Sequence, residues 1–588
     1  MRKALAGTSV LGLLLLGVAP TAHASPATPP TDFSYQVLTE DVYDPMDVEV
    51  APDGRVIVAQ RDGKIRVWHQ DGKLKTAIQL PVNAARGCVD CAETVNDDGG
   101  IYGMTLDPHF ARNGYIYLWY NRAHTANPVT NLEEWWLSRI TLKPNDTIAK
   151  SSEKVLFRAK SWWADPEGSQ AHYGGVLDFL PDGTLVLGTG DEVDPKCDGG
   201  YGPRDDTPDK GHFCNAEMTV QNPSSPWGKL LRFNPDGSYP DGSKRGVKAN
   251  PFIGKKAVNP YIPDGRNHLM KYYVASKPKH PKAIAYLPYI YALGFKQPWR
   301  AGVDPHTGNM FAGDVGADAT YDDPQKGTAS HEEVNTIPYG GGGNYGWPRC
   351  QGAYAYHDYD WAKQVDRGVL DCSKMVKPDI YYSDTQGHAW ASVVGVGSKT
   401  SEPTVYYTAN KGSLALPSRF FDHVMYSDWS RDFLYGVPVA KGKLDVDPTH
   451  WELVRPPVTS TTFVGVGQKG LIPSAAGNLA TMMAPIAGAE GRDGAYYFVE
   501  YGTGYGNNPL SRLSRLVCTG CSANPAKDFV HTPGVPVVTA AEAFHPAPVA
   551  PVALTAAKVS HTAGYLVGSA AAGLALVGVG WRRRRLTV

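Results

Sequence analysis

Six times along this chain an apolar run descends to a turn and climbs out again through a second apolar run. The clearest case is residues 172–192, HYGGVLDFLPDGTLVLGTGDE, with Pro181, Asp182 and Gly183 at the turn. Gly supplies the left-handed conformation such a turn needs, so the segment reads as a β-hairpin. The same pattern runs through residues 47–58, 99–121, 292–316, 404–427 and 481–502. Helix periodicity is sparse between them, and 63 Gly, 46 Pro and 32 Tyr suit a chain of strands and turns. Uneven spacing excludes regular WD40 or kelch repeats. The pattern predicts an all-β fold, a six-bladed β-propeller, with a pair of β-sandwiches as the rival. Runs such as GKLLRF at 228–233 are the expected outer strands.

A propeller gathers the starts of its innermost strands around one mouth, and that rule selects three side chains. Asp98, His172 and Lys296 each stand roughly ten residues ahead of their own turn, so an acid, a base and a cation from separate blades are expected to meet. His172 precedes its turn by about as many residues as Asp191 follows it, and an antiparallel ladder then sets both at one rim. An imidazole beside a carboxylate is an oriented proton acceptor. Plainer readings stand beside these: a surface hairpin with a chance His, turn chemistry for Asp98 in VNDDGG, and an ordinary surface lysine at 296.

Residues 1–24 read as a secretory signal peptide: Arg2 and Lys3, the apolar LGLLLLGV, then Ala22-His23-Ala24 as a cleavage site. The propeller is expected over 32–521, a Pro/Ala-rich linker over 522–562, a transmembrane helix over 563–581 and a basic cytoplasmic tail over 582–588. This organisation predicts an extracellular protein anchored at the cell surface by its C-terminal membrane segment. In an oxidising compartment, proximity pairs the eight cysteines as Cys88 with Cys91, Cys197 with Cys214, Cys350 with Cys372 and Cys518 with Cys521. A four-Cys zinc site from the two CxxC pairs is the alternative. Neither CxxC precedes a His, so the chain shows no c-type haem attachment of its own. A formal net charge of -1, with no basic run before the tail, argues against nucleic acid as a partner.

Several longer runs carry a resemblance: GMTLDPHFARNGYIYLWY, HYGGVLDFLPDGTLVLGTGD, GKLLRFNPDG, YALGFKQPWRAGVDPHTGNMFAGDVG, and EEVNTIPYGGGGNYGWP at 332–348. From about residue 45 to 516 the chain resembles the glucose/sorbosone dehydrogenases that depend on pyrroloquinoline quinone (PQQ), which are soluble six-bladed propellers. The resemblance implies that His172 is the general base taking a proton from a sugar hydroxyl while hydride passes to the quinone, and that Asp191 orients its ring. It implies backbone carbonyls of Gly316 and Ala317 as calcium ligands, and Asp98, Lys296, Gln297 and, more loosely, Arg431 as cofactor contacts. The pattern departs at Lys296-Gln297, where the family has Arg-Asn, at Asp98, where a longer Glu or Gln is usual, and at Gly100-Ile101-Tyr102-Gly103 in place of GLLG. A lysine keeps the charge but loses the planar two-pronged donor.

The resulting expectation is an exported quinoprotein that oxidises an aldose or related polyol and hands electrons to an external acceptor. The alternative is a catalytically silent propeller that binds carbohydrate or a surface partner with weakened quinone binding, favoured by the altered Lys296-Gln297 pair. A calcium-dependent hydrolase is a third reading, which the NYGWP and GDVG runs do not support.

Overall fold

All six predicted hairpins form, and their first strands are the innermost strands of six sheets. A computed structural model describes residues 33–83, 99–123, 132–162, 172–195, 197–205, 214–259, 282–383, 402–407, 412–428, 431, 433–455, 484–502, 510–518 and 537–539. They lie in one unit, residues 1–545; a second unit, 546–588, falls wholly outside them. The innermost strands are Pro45–Val50, Ile101–Leu106, Leu177–Phe179, Pro298–Val303, Glu402–Tyr407 and Pro485–Glu490. Each pairs antiparallel with the strand after its turn, and each packs beside the next, with the sixth returning to the first. The fold is therefore an all-β six-bladed propeller, and the sandwich rival falls.

Closure comes from the N-terminal side. Strand Phe33–Thr39 pairs with Arg512–Cys518 and completes the blade begun by the last hairpin. Second strands such as Val56–Gln60, Leu185–Thr189 and Tyr496–Glu500 are buried along their whole length. A blade lies between two neighbours, so both of its faces are covered, which is why these strands read as continuous apolar runs rather than alternating ones. Among the described residues the sole α-helix is the four-residue Phe110–Asn113. Residues 229–233 form the third strand of the third blade, as expected for the GKLLRF run.

Two of the four predicted disulfides lie among the described residues and both form, Cys197 with Cys214 and Cys350 with Cys372. Cys518 is disulfide-bonded too, while Cys88, Cys91 and Cys521 lie outside the described residues. So do the predicted signal peptide, linker, membrane segment and tail. No described helix is long and apolar enough to cross a membrane.

Candidate active site

The third blade delivers His172 from just beyond the regular ladder of its innermost strand. The strand proper is only Leu177–Phe179, and Leu177 pairs with Leu187. The sequence puts His172 and Asp191 at one rim, and they meet there; the regular ladder ends at Leu177, and isolated bonds continue the pairing, from the Gly188 amide to the Val176 carbonyl at 2.8 Å and from the Glu192 amide to the His172 carbonyl at 3.3 Å. His172 has φ +70° and Glu192 φ +61°, a left-handed conformation that costs a branched or bulky side chain energy and recurs at functional sites. Gly174, φ +80°, follows at once, and a Cβ there would stand 2.0 Å from the Gly188 carbonyl oxygen, so the chain passes that point only as glycine. The two bends turn the imidazole inward to the Asp191 carboxylate.

Both ring nitrogens are engaged. Nδ1 lies 2.8 Å from Asp191 Oδ1, and Nε2 lies 2.9 Å from Lys296 Nζ, with the His172 side chain 11% exposed. A carboxylate only accepts and an ammonium only donates. The network therefore assigns the proton to Nδ1 and the lone pair to Nε2. Asp191 is held from the other side as well: the Trp347 indole N–H donates to its Oδ2 at 2.7 Å, and the Val193 amide donates to Oδ1 at 3.1 Å. The NYGWP run holds Trp347 but does not declare its role; the signal for it is that an indole N–H is a donor only and, when buried, needs an acceptor.

Lys296 reaches this point because Asp314 clamps its backbone. The Asp314 carboxylate accepts from the amides of Lys296, 2.9 Å, and Gln297, 2.6 Å, and the Asp191 amide donates to the Lys296 carbonyl at 2.7 Å. Burial, reinforced by the nearby Glu333 carboxylate, pushes Asp314 well above the usual carboxylate range. Beyond the clamp the Lys296 ammonium also sees Asp318 Oδ1 at 3.8 Å. His172, Asp191, Lys296, Trp347, Asp318 and Tyr201 share the wall of one pocket.

A second layer fixes the Trp347 side. Glu217, fully buried, accepts two bonds from Arg349 at 2.6 and 2.7 Å and one from Arg204 at 3.1 Å. Burial pushes its carboxyl up, but the two guanidiniums outweigh that and hold it below its ordinary range. Arg204 stands inside the loop closed by Cys197 and Cys214, whose first half, Cys197 to Pro203, lines the pocket. Gln221 donates to the Trp347 carbonyl at 2.6 Å.

The remaining predicted residues fall elsewhere. Gln297 is buried beneath the hairpin, where its Oε1 accepts from the Gly174 amide at 2.7 Å; it supports the bend at His172 and is not in the pocket wall. Arg431 donates to the Ser383 carbonyl at 3.0 Å, pairs with Asp428 at 3.6 Å and lies over the Tyr382 ring at 4.3 Å. Gly316 and Ala317 are buried, their amides donating to Glu332 and Gln351. Asp98 lies outside the described residues. Two of the three residues that the propeller rule selects, His172 and Lys296, thus meet, with Asp191 from the same hairpin as His172 beside them; the third, Asp98, lies outside the described residues. The wall that His172, Asp191 and Lys296 make suits an anionic, oxygen-rich group at its Lys296 end, because a buried ammonium needs an anion or acceptor as partner.

The Glucose / Sorbosone dehydrogenase family model matches residues 42–263. Over those residues the chain is similar to that family. The match contains the His172 hairpin and ends before Lys296 and the NYGWP run. Quinoprotein glucose dehydrogenase B of Acinetobacter calcoaceticus is 26% identical over 355 residues, 58% of this chain and 59% of that protein. The HIPL2 protein of Arabidopsis thaliana is 25% identical over 305 residues, 46% of this chain and 36% of its own length. The chain thus spans well under two thirds of these curated relatives. Among solved structures, the aldose sugar dehydrogenase of Escherichia coli in its apo form covers 83% of this chain and 100% of its own, at 16% identity and TM-score 0.49. The PQQ-bound aldose sugar dehydrogenase of Streptomyces coelicolor covers 84% and 100%, at 17% identity and TM-score 0.46.

Proposed function

We propose that this chain is an exported quinoprotein oxidoreductase that oxidises an aldose or related sugar or polyol and passes the electrons to an external acceptor. The observation that carries the reading is His172 in a pocket wall, gripped at Nδ1 by Asp191 and with Nε2 against the buried Lys296 ammonium. Nε2 is the atom that takes the proton of the substrate hydroxyl. Asp191 keeps the ring in the Nδ1–H tautomer and offsets the positive charge that the ring gains, and Trp347 and the Val193 amide keep Asp191 from turning. When bound, PQQ supplies the carbonyl that accepts the hydride. Lys296 would hold its anionic oxygens, and the carbonyls of Gly316 and Ala317 would hold a calcium ion, a hard cation served by oxygen ligands. Residues 1–24 direct export and residues 563–581 anchor the propeller at the cell surface.

Isothermal titration of PQQ into the calcium-loaded protein, followed by dye reduction with a panel of aldoses, tests the reading: saturable binding and sugar-dependent reduction are expected. A second reading, a silent carbohydrate-binding propeller, is favoured by Gln297 and Arg431, whose polar groups are engaged by Gly174 and by Ser383 and Asp428. Carbohydrate binding without any quinone binding would select it.

A further inference from the structure

We propose that Lys296 is the cap of the base: without cofactor its ammonium occupies the Nε2 lone pair of His172, and only a ligand that draws Lys296 away leaves that nitrogen able to take a proton. This rests on the quinoprotein reading. An imidazole has two ring nitrogens, and both are engaged, Nδ1 by Asp191 at 2.8 Å and Nε2 by Lys296 at 2.9 Å. A sugar hydroxyl that entered the pocket in this state would find no lone pair to donate to.

The cap has somewhere to go. Asp318 Oδ1 stands 3.8 Å from Nζ, and the Asp318 side chain is 34% exposed at the pocket wall, against 4% for Lys296. Lysine suits a two-seat device because its ammonium is a point donor on a four-carbon stem, whereas a guanidinium is a rigid planar fork. The lysine in place of the family's arginine is therefore a change of device as well as of fit. The ligand class that uncaps the base is an anion with carboxylate or quinone oxygens, which replaces the imidazole as the partner of the ammonium. Proton accounting closes: the substrate O–H bond breaks, Nε2–H forms, and the hydride leaves to the quinone named above. The ring is then a donor at both nitrogens, so Lys296 cannot return to it until that proton has gone.

Cofactor-free protein suffices for the test. Diethyl pyrocarbonate acylates an imidazole through a free lone pair, and peptide mass spectrometry reads the rate at each histidine. Lys296→Met removes the donor at nearly constant volume and should raise the acylation rate of His172 at least about tenfold, while His331, which is fully buried, stays unreactive and so reports an intact fold. Equal rates at His172 in the two proteins would overturn the proposal. On the unmutated protein, 15N-labelled histidine spectra should show His172 as the Nδ1–H tautomer with an acceptor Nε2; an Nε2–H tautomer would overturn it independently of any variant. Failure of PQQ to bind would count against the quinoprotein reading and move neither result.

Discussion

Two aspartates sit on the third-blade hairpin and meet opposite treatment. Asp191, at the mouth, is ringed by donors: the His172 ring, the Trp347 indole and the Val193 amide. Asp178, half-buried on the innermost strand, accepts from the Phe179 amide. Burial, with the charge of Asp47 on the first blade added, pushes Asp178 up to about 7 against that amide, and Glu49 beside Asp47 is raised for the same cause. Burial alone makes a reluctant acid; burial with converging donors makes an orienting one. The mouth is organised for proton handling and the propeller's interior for packing, and the two regions should respond to different tests.

The largest expected effect is at the mouth. His172→Ala should lower turnover by roughly 10²–10⁴-fold, the usual worth of a general base, with quinone binding retained in titration. Asp191→Asn should lower kcat by about 10²-fold, because an amide does not hold the Nδ1–H tautomer or balance the ring's positive charge. Trp347→Phe leaves Asp191 Oδ2 without its indole donor. It should cost about 1–3 kcal/mol in urea unfolding and reduce kcat by less than the Asp191 change does. If Trp347→Phe matched Asp191→Asn in kcat, Trp347 would have to act on the substrate itself.

Asp178 sharpens the contrast through pH. Its carboxyl titrates higher in the folded chain than in the unfolded one, so folding favours the protonated form. The associated stability is complete below the unfolded value near 4 and is lost as pH rises through about 7. Asp178→Asn should remove on the order of 2–4 kcal/mol of that decline between pH 4 and 7, seen as a flatter dependence of unfolding free energy on pH. A smaller effect is expected at Gln297. Shortening it by one methylene in Gln297→Asn pulls the carbonyl from the Gly174 amide and should cost about 1 kcal/mol, so restoring the family's Asn at this position does not by itself improve the site.

Much of this was legible in the sequence because hairpins are local. The turns at Asp53-Gly54, Asp182-Gly183 and Asp493-Gly494 each needed only a few neighbouring residues to declare themselves. The convergence of His172 and Lys296 followed from strand order alone. The ladder reasoning for Asp191 reached the right neighbour, but a left-handed His172 cannot be read from apolar alternation. Trp347 goes unassigned in the sequence because its partner, Asp191, lies 156 residues away, where only packing decides; Asp314 and Asp318 stand close to Lys296 in the chain, but apolar alternation does not say where a carboxylate at a strand end points. Gln297 reads as facing the cofactor because its motif position says nothing about the Gly174 amide that donates to it.

The most direct test is one dye-reduction assay on His172→Ala and Asp178→Asn side by side, both loaded with calcium and PQQ to equal occupancy and given the same aldose. The account predicts that the first loses turnover and the second keeps it near the unsubstituted level. Equal activity in the two, or loss only in the Asp178 variant, would contradict it.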